Sequence, residues 1–272
     1  TEKAEKEVQR LEQEMEECGA RLSDTSLSPE EMTNIGKVTR AKLAEVATYY
    51  LPKVKRKLVS AIDGTVKYLY ELNDGNTVET VLMKYKYGYS ICISSQIGCD
   101  MGCSFCASTI DGCARSLRPS EMLAQIYTAQ RELGIRVSHI VLMGMGEPLD
   151  NYDNVVKFLN IVNLPDGVNI GYRHISLSTC GIVDGIDRLA KENFPITLSI
   201  SLHASDDGKR SEIMPVNKKW NVEALLDACR EYYAITGRRI SFEYAMIHGV
   251  NDTEADARLL LKRLKGLPAH MN

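Results

Sequence analysis

From residue 89 onward the chain alternates between two hydrophobic rhythms. Runs with a period of two fall near 89–95, 138–143, 173–178, 196–202 and 239–246. Between them, at 120–133, 152–163, 183–192, 221–235 and 253–265, apolar residues recur every three or four positions. The first rhythm predicts strands and the second amphipathic helices. Strands regularly separated by helices predict parallel βαβ units. Upstream, Val66-Lys-Tyr-Leu-Tyr-Glu-Leu72 and Thr77-Val-Glu-Thr-Val-Leu-Met83 alternate on either side of Asn73-Asp-Gly-Asn76, which predicts a β-hairpin. Residues 28–60 predict short helices, with Ser28-Pro-Glu-Glu31 supplying a cap, an early proline and early carboxylates. In residues 1–24, Ala4, Val8, Leu11, Met15, Cys18 and Leu22 trace a heptad-like seam. A single amphipathic helix packed on a neighbour accounts for that seam equally well. The expected organisation is a helical accessory region at 1–60, a hairpin extension at 61–88 and an α/β core at 89–272.

A chain of 272 residues can hold one large α/β domain with a small appendage. No apolar run reaches the roughly 18 residues of a membrane span, and no signal peptide is visible. A cytoplasmic setting is therefore expected, where eight cysteines point to metal or redox use rather than disulfides. The net charge of −3 excludes a globally basic nucleic-acid binder. Local basic candidates are Lys53, Lys55, Arg56 and Lys57; Lys84 and Lys86; Arg115 and Arg118; Lys209 and Arg210; Lys218 and Lys219. Such residues are more often solvated surface than phosphate contacts.

Cys99, Cys103 and Cys106 form a C-x3-C-x2-C loop. Three thiolates on one loop can hold three irons of a [4Fe–4S] cluster and leave the fourth iron open for chemistry. The rival is a zinc knuckle with a distant fourth ligand, but no second C-x2-C pair follows. Cysteine 92 is either a buried apolar cysteine or a functional thiol. By itself Glu79 reads as a surface carboxylate on a strand, and a lone His203 at a strand end is usually structural.

These motifs resemble the radical SAM superfamily, and within it the RlmN/Cfr family of RNA adenine methyltransferases. The residues that carry the resemblance are Cys92-Ile-Ser-Ser-Gln-Ile-Gly-Cys99, the cluster loop and Met143-Gly-Met-Gly-Glu-Pro148. They are followed by Ser176-Leu-Ser-Thr179, Ser199-Ile-Ser-Leu-His-Ala204, Ile213-Met-Pro-Val-Asn-Lys218 and Ser241-Phe-Glu-Tyr244. The resemblance runs from about Ser28 onward and implies a partial (β/α)6 barrel, TIM-like but open. Five units are visible, and the chain stops at His270-Met-Asn272, where a sixth strand is expected to start. The last strand and the C-terminal segment are therefore expected to be missing.

By resemblance, Cys99, Cys103 and Cys106 bind the [4Fe–4S] cluster. Gly146, Glu147, Ser178, Ser201, Leu202 and His203 contact S-adenosyl-L-methionine (SAM), with Gly144 and Gly146 letting backbone approach it. In the family a second cysteine is methylated by SAM, and the methyl becomes a carbon radical that adds to adenine. A thiol matching Cys92 resolves the adduct, forming a disulfide. Glu79 matches the proton acceptor. The implied partners are 23S rRNA, tRNA and an electron donor such as flavodoxin or ferredoxin; a monomer away from membranes is expected. Methylation at adenosine C2 is the first reading and the C8 chemistry of Cfr the second. The methyl-carrying cysteine of the family lies beyond residue 272, so methyl transfer by this segment alone is not expected. Other radical SAM enzymes, a non-catalytic RNA-binding remnant and a zinc module are the rival readings.

Overall fold

A computed structural model of the chain describes residues 36–46 and 50–272. The patterned segments at 1–24 and 28–31 lie outside the described residues. Helix α1 (Lys37–Val46) is followed by three antiparallel strands, β1 (Lys53–Val59), β2 (Val66–Glu71) and β3 (Thr77–Tyr85). Strand β1 corrects the expectation of helix up to residue 60. All seven of its residues are exposed, so no apolar face shaped it. The free edge of β2 supplies backbone partners that override the local pattern. The β2–β3 turn is the one expected: Gly75 takes a φ of 82°, and Asp74 accepts from the Asn76 amide.

Strand β4 (Gly88–Cys92) pairs antiparallel with β3 and parallel with the next core strand, joining the extension to the barrel. A separate ribbon, β5 (Gln96–Gly98) with β6 (Cys113–Ser116), interrupts the first crossover. The alternation then runs α2 (Pro119–Leu133), β7 (Val137–Leu142), α3 (Tyr152–Val162), β8 (Ile175–Thr179), α4 (Val183–Glu192) and β9 (Thr197–Ser201). It ends with α5 (Asp207–Ile213), α6 (Val222–Thr236), β10 (Ile240–Glu243), α7 (Glu254–Arg263) and β11 (Ala269–Met271). The sheet order is β1-β2-β3-β4-β7-β8-β9-β10-β11, and its last six strands are parallel.

Strand β11 corrects the expectation that the last strand is missing. Three residues pair parallel with Ile240–Phe242. The Asn272 amide donates to the Phe242 carbonyl at 2.8 Å, and the Tyr244 amide to the Asn272 carbonyl at 3.0 Å. The open edge of β10 is a ladder that so short a segment can already satisfy.

The parallel strands have two unlike faces. Ile91, Ile140, Leu177, Leu198, Ile200 and Phe242 are fully buried against the helices. The opposite face carries Ser176, Ser178, Ser199, Ser201, Ser241 and Glu243, and the register sets Ser178, Ser199 and Ser241 in one row. A period of two in a parallel strand here separates a helix-facing aliphatic side from a polar interior.

Candidate active site

The ribbon β5–β6 closes the cysteine loop at its base. The Cys99 amide donates to the Gly112 carbonyl at 3.1 Å, and Asp100 accepts from the Cys113 amide at 2.7 Å. Gly98 is obligatory at this closure: its φ is 78°, and a Cβ there would fall 1.8 Å from the Gly112 oxygen. At the far side, the Ser104 amide donates to the Ile213 carbonyl.

So held, Cys99, Cys103 and Cys106 all line one cavity of about 270 Å³. Burial pushes the Cys99 thiol up to about 12 and the Cys103 thiol up to about 11. Among the described residues no three His, Cys, Asp or Glu side chains converge to hold a single metal ion. Three thiols lining one cavity suit a multi-iron cluster, in which each thiolate would serve a different iron. The donor set and the cavity fit the [4Fe–4S] group and leave room beside it.

The C-terminal ends of β7, β8, β9 and β10 supply the rest of the wall. Glu147 is buried, and burial raises its pKa. Its two oxygens accept from the Cys180 amide at 2.8 Å and the Leu149 amide at 3.0 Å, tying two strand-end loops together while it lines the cavity. The glycines before it answer to the chain itself. A Cβ at Gly146 would lie 2.4 Å from the Gln96 Cβ, and one at Gly144 would lie 2.6 Å from the Ile93 oxygen. Close approach of backbone to backbone is thus a sufficient reason for both, alongside the expected approach to SAM.

His203 takes a left-handed φ of 52°, rare for a residue with a side chain. Its Nδ1 accepts from the Ala245 amide at 3.0 Å, which puts the proton of the neutral ring on Nε2. Burial lowers its pKa to about 4, so the ring is neutral at physiological pH. Phe105 meets it edge-on at 5.1 Å. Ser178 and Ser201 also line the cavity. Leu202 does not: its side chain is fully buried in the core, its amide donates to the Glu243 carbonyl and its carbonyl accepts from Arg210.

Cys92 sits at the end of β4, just outside this wall. Burial raises its thiol to about 11, against the pull of the Met143 amide that donates to it. Met143 lines the cavity, so Cys92 is one residue removed from it. Pairing of Val81 with Cys92 sets Glu79 and Cys92 on one sheet face, two positions apart along β3. Glu79 is half exposed and salt-bridged to Lys67 at 2.7 Å. Cys180 lines the cavity, while Cys229 is buried in the core and Cys113 belongs to the ribbon.

Several basic candidates turn out to be structural. Arg210 is wholly buried and donates to the carbonyls of Cys180, Ser201 and Leu202 and to the Asn217 side chain. Arg115 is held by Asp74 and Glu121, and Lys209 by Asp256. Sequence reasoning had no signal to separate these from surface charge. It also missed Gln125, whose buried amide bonds both the amide and carbonyl of Ser94 and the Thr80 hydroxyl, fixing the backbone just after Cys92.

A family model described as the radical SAM superfamily matches residues 93–261. The chain is 55% identical to a probable dual-specificity RNA methyltransferase RlmN of Clostridium novyi, over 89% of this chain and 71% of that one. The chain belongs to the RlmN family of radical SAM enzymes. A second relative, the probable dual-specificity RNA methyltransferase RlmN of Desulforamulus reducens, is 51% identical over 89% of this chain and 69% of its own length. The fold matches the crystal structure of a radical SAM methyltransferase from Sphaerobacter thermophilus with a TM-score of 0.86 and 42% identity. That match covers 90% of this chain and 73% of the other. Membership makes the chain a SAM-dependent enzyme whose cofactors are a [4Fe–4S] cluster and SAM. Among the described residues no helix is long and apolar enough to cross a membrane.

Proposed function

We propose that this chain carries the radical and SAM-binding centre of an RNA methyltransferase that modifies adenosine C2 in 23S rRNA and in tRNA, in the cytoplasm. The observation that carries the reading is the gathering of Cys99, Cys103 and Cys106 with Glu147, Ser178, Ser201 and His203 around one cavity. When bound, the cluster and SAM supply one-electron cleavage of a sulfur–carbon bond.

The chain's own groups hold and orient. Cys99, Cys103 and Cys106 hold three irons. Neutral His203 presents its Nε2 proton, while Ser178, Ser201 and Glu243 offer polar groups for the amino, carboxylate and ribose parts of SAM. Phe105 packs edge-on against His203 beside the cysteines. Cys92 would attack the sulfur of the family's methyl-carrying cysteine, forming a disulfide as the bond from that sulfur to the base-linked carbon breaks, with Glu79 taking the proton released from the base. An electron enters from a small redox protein of the flavodoxin or ferredoxin class. The target base must leave its stack to reach the cavity.

The test has two arms. Anaerobically reconstituted protein should bind about four irons per chain, and any one of the three cysteines changed to Ala should remove the cluster absorption. With reductant it should cleave SAM to 5′-deoxyadenosine and methionine. A tightly held zinc without iron uptake overturns the cofactor assignment. For the substrate, mass spectrometry of RNA from cells making this chain joined to the family's methyl-carrying cysteine segment should show 2-methyladenosine, and this segment alone should add none; 8-methyladenosine supports the Cfr-like reading instead.

A further inference from the structure

Four aromatic rings run in an unbroken line away from the cavity. Tyr85 and Tyr87 stack with centroids 5.0 Å apart and planes 10° from parallel. Tyr87 meets His139 edge-on at 4.7 Å, and His139 meets His174 edge-on at 4.6 Å, with a 3.0 Å hydrogen bond between the two imidazoles. The line starts in the β3–β4 turn, crosses β7 and ends just before β8. It plays no part in the core: Tyr85 is 45% and Tyr87 61% exposed.

The line shares the sheet side of Glu79 and Cys92 but lies toward the N-terminal ends of the parallel strands, one strand length from the cavity. Strand alternation puts Glu79, Val81, Met83 and Tyr85 on one side of β3, and the register sets Val81 beside Cys92 and Tyr85 beside Gly88. From Gly88 to Cys92 the strand climbs about 13 Å. A nucleic-acid strand laid along this face would reach from the tyrosines to Cys92 within a few nucleotides.

The surroundings are cationic. Lys86 follows Tyr85, and exposed Arg173 precedes His174; Lys84 is on the other side of the strand, with its ammonium over the Tyr89 ring. Among the described residues no carboxylate forms an ion pair with Lys86 or Arg173. Exposed parallel rings amid unpaired cations are what a single-stranded nucleic acid needs: π-faces for its bases and positive charge for its phosphates.

We propose that Tyr85 and Tyr87, with Lys86 and Arg173, form a stacking platform for unpaired nucleotides of the RNA substrate flanking the target adenosine. The proposal rests on the RNA-methyltransferase reading and adds a place where the substrate is held. Because stacking reads only the π-face, the platform accepts any base and serves both rRNA and tRNA.

The test is RNA binding by the reconstituted protein, read by fluorescence anisotropy with tRNA and with a single-stranded oligoadenylate. Tyr85→Ala with Tyr87→Ala should weaken binding of both probes by at least about tenfold. Tyr85→Phe with Tyr87→Phe should bind within about twofold of the unaltered protein, because the rings remain. Lys86→Ala with Arg173→Ala should reduce the steepness of log K against log salt by about 1.4 on the oligoadenylate. Ultraviolet cross-linking should label the peptide containing Tyr85 and Tyr87. All variants should keep the cluster absorption and the same SAM affinity. Undiminished binding by the double alanine variant overturns the platform and leaves the methyltransferase reading standing. No RNA binding by the unaltered protein overturns both.

Discussion

The parallel core and the antiparallel extension share one sheet but solve opposite problems. In the core, strands are covered by helices on one side and enclose a cavity on the other, so both faces are specified by what they touch. In the extension, β1 is exposed along its whole length, and β3 buries only Val78, Thr80 and Leu82. The core gathers its chemistry in strand-end loops, where buried hydrogen bonds fix each residue. The extension displays its candidate residues on a strand face, where only an ion pair and ring contacts hold them. Cofactor work requires the first arrangement, and a long flexible substrate can use the second.

Substitutions should separate the two regions by size of effect. The largest is expected at Gly98. Gly98→Ala collides with the Gly112 carbonyl, so the cysteine loop cannot close, and iron analysis should find no cluster. Normal iron uptake would mean that the ribbon does not shape the site.

Arg210→Met comes next. It strands three carbonyls and the Asn217 side chain in a buried region, which should cost about 3–5 kcal/mol in denaturant unfolding. A loss below about 1 kcal/mol would make the strand-end loops as loosely held as the extension.

Acid should reach the core through His203. Its folded pKa of about 4 lies below the usual value of 6.5, so unfolding takes up a proton as pH falls. The stability is present above about 6.5 and is lost progressively down to about 4, on the order of 3 kcal/mol. His203→Gln should flatten that part of the stability–pH curve. An unchanged curve would remove the buried neutral imidazole from the account.

The smallest effect belongs to the extension. Lys67→Met should cost less than about 1 kcal/mol, because its partner Glu79 is half exposed and screened by water. A larger loss would show that the face is more rigid than its exposure implies.

The core was legible because its periodicity reports burial on two faces. Expected strands near 138–143 and 196–202 are found at Val137–Leu142 and Thr197–Ser201, and helix 183–192 is found at Val183–Glu192. Strand β1 was not legible, since its partner is a backbone edge and its side chains meet water. Strand β11 was missed for the same reason: three residues carry no period. At the site, cysteine spacing and the loops after the strands could be read directly. Arg210, Gln125 and Phe105 could not, because a buried arginine, a buried amide and an exposed phenylalanine are distinguished from their ordinary counterparts only by long-range contacts.

Arg210 also bears on the order in which the molecule assembles. Its acceptors lie at residues 180, 201, 202 and 217, on segments that meet only after β8, β9 and α5 have docked. Bonds that need several docked segments are expected to form late, after the folding transition state. Their loss should speed unfolding while leaving the refolding rate nearly unchanged. The buried guanidinium acts as a latch on the finished barrel, extending the lifetime of the cavity once it exists.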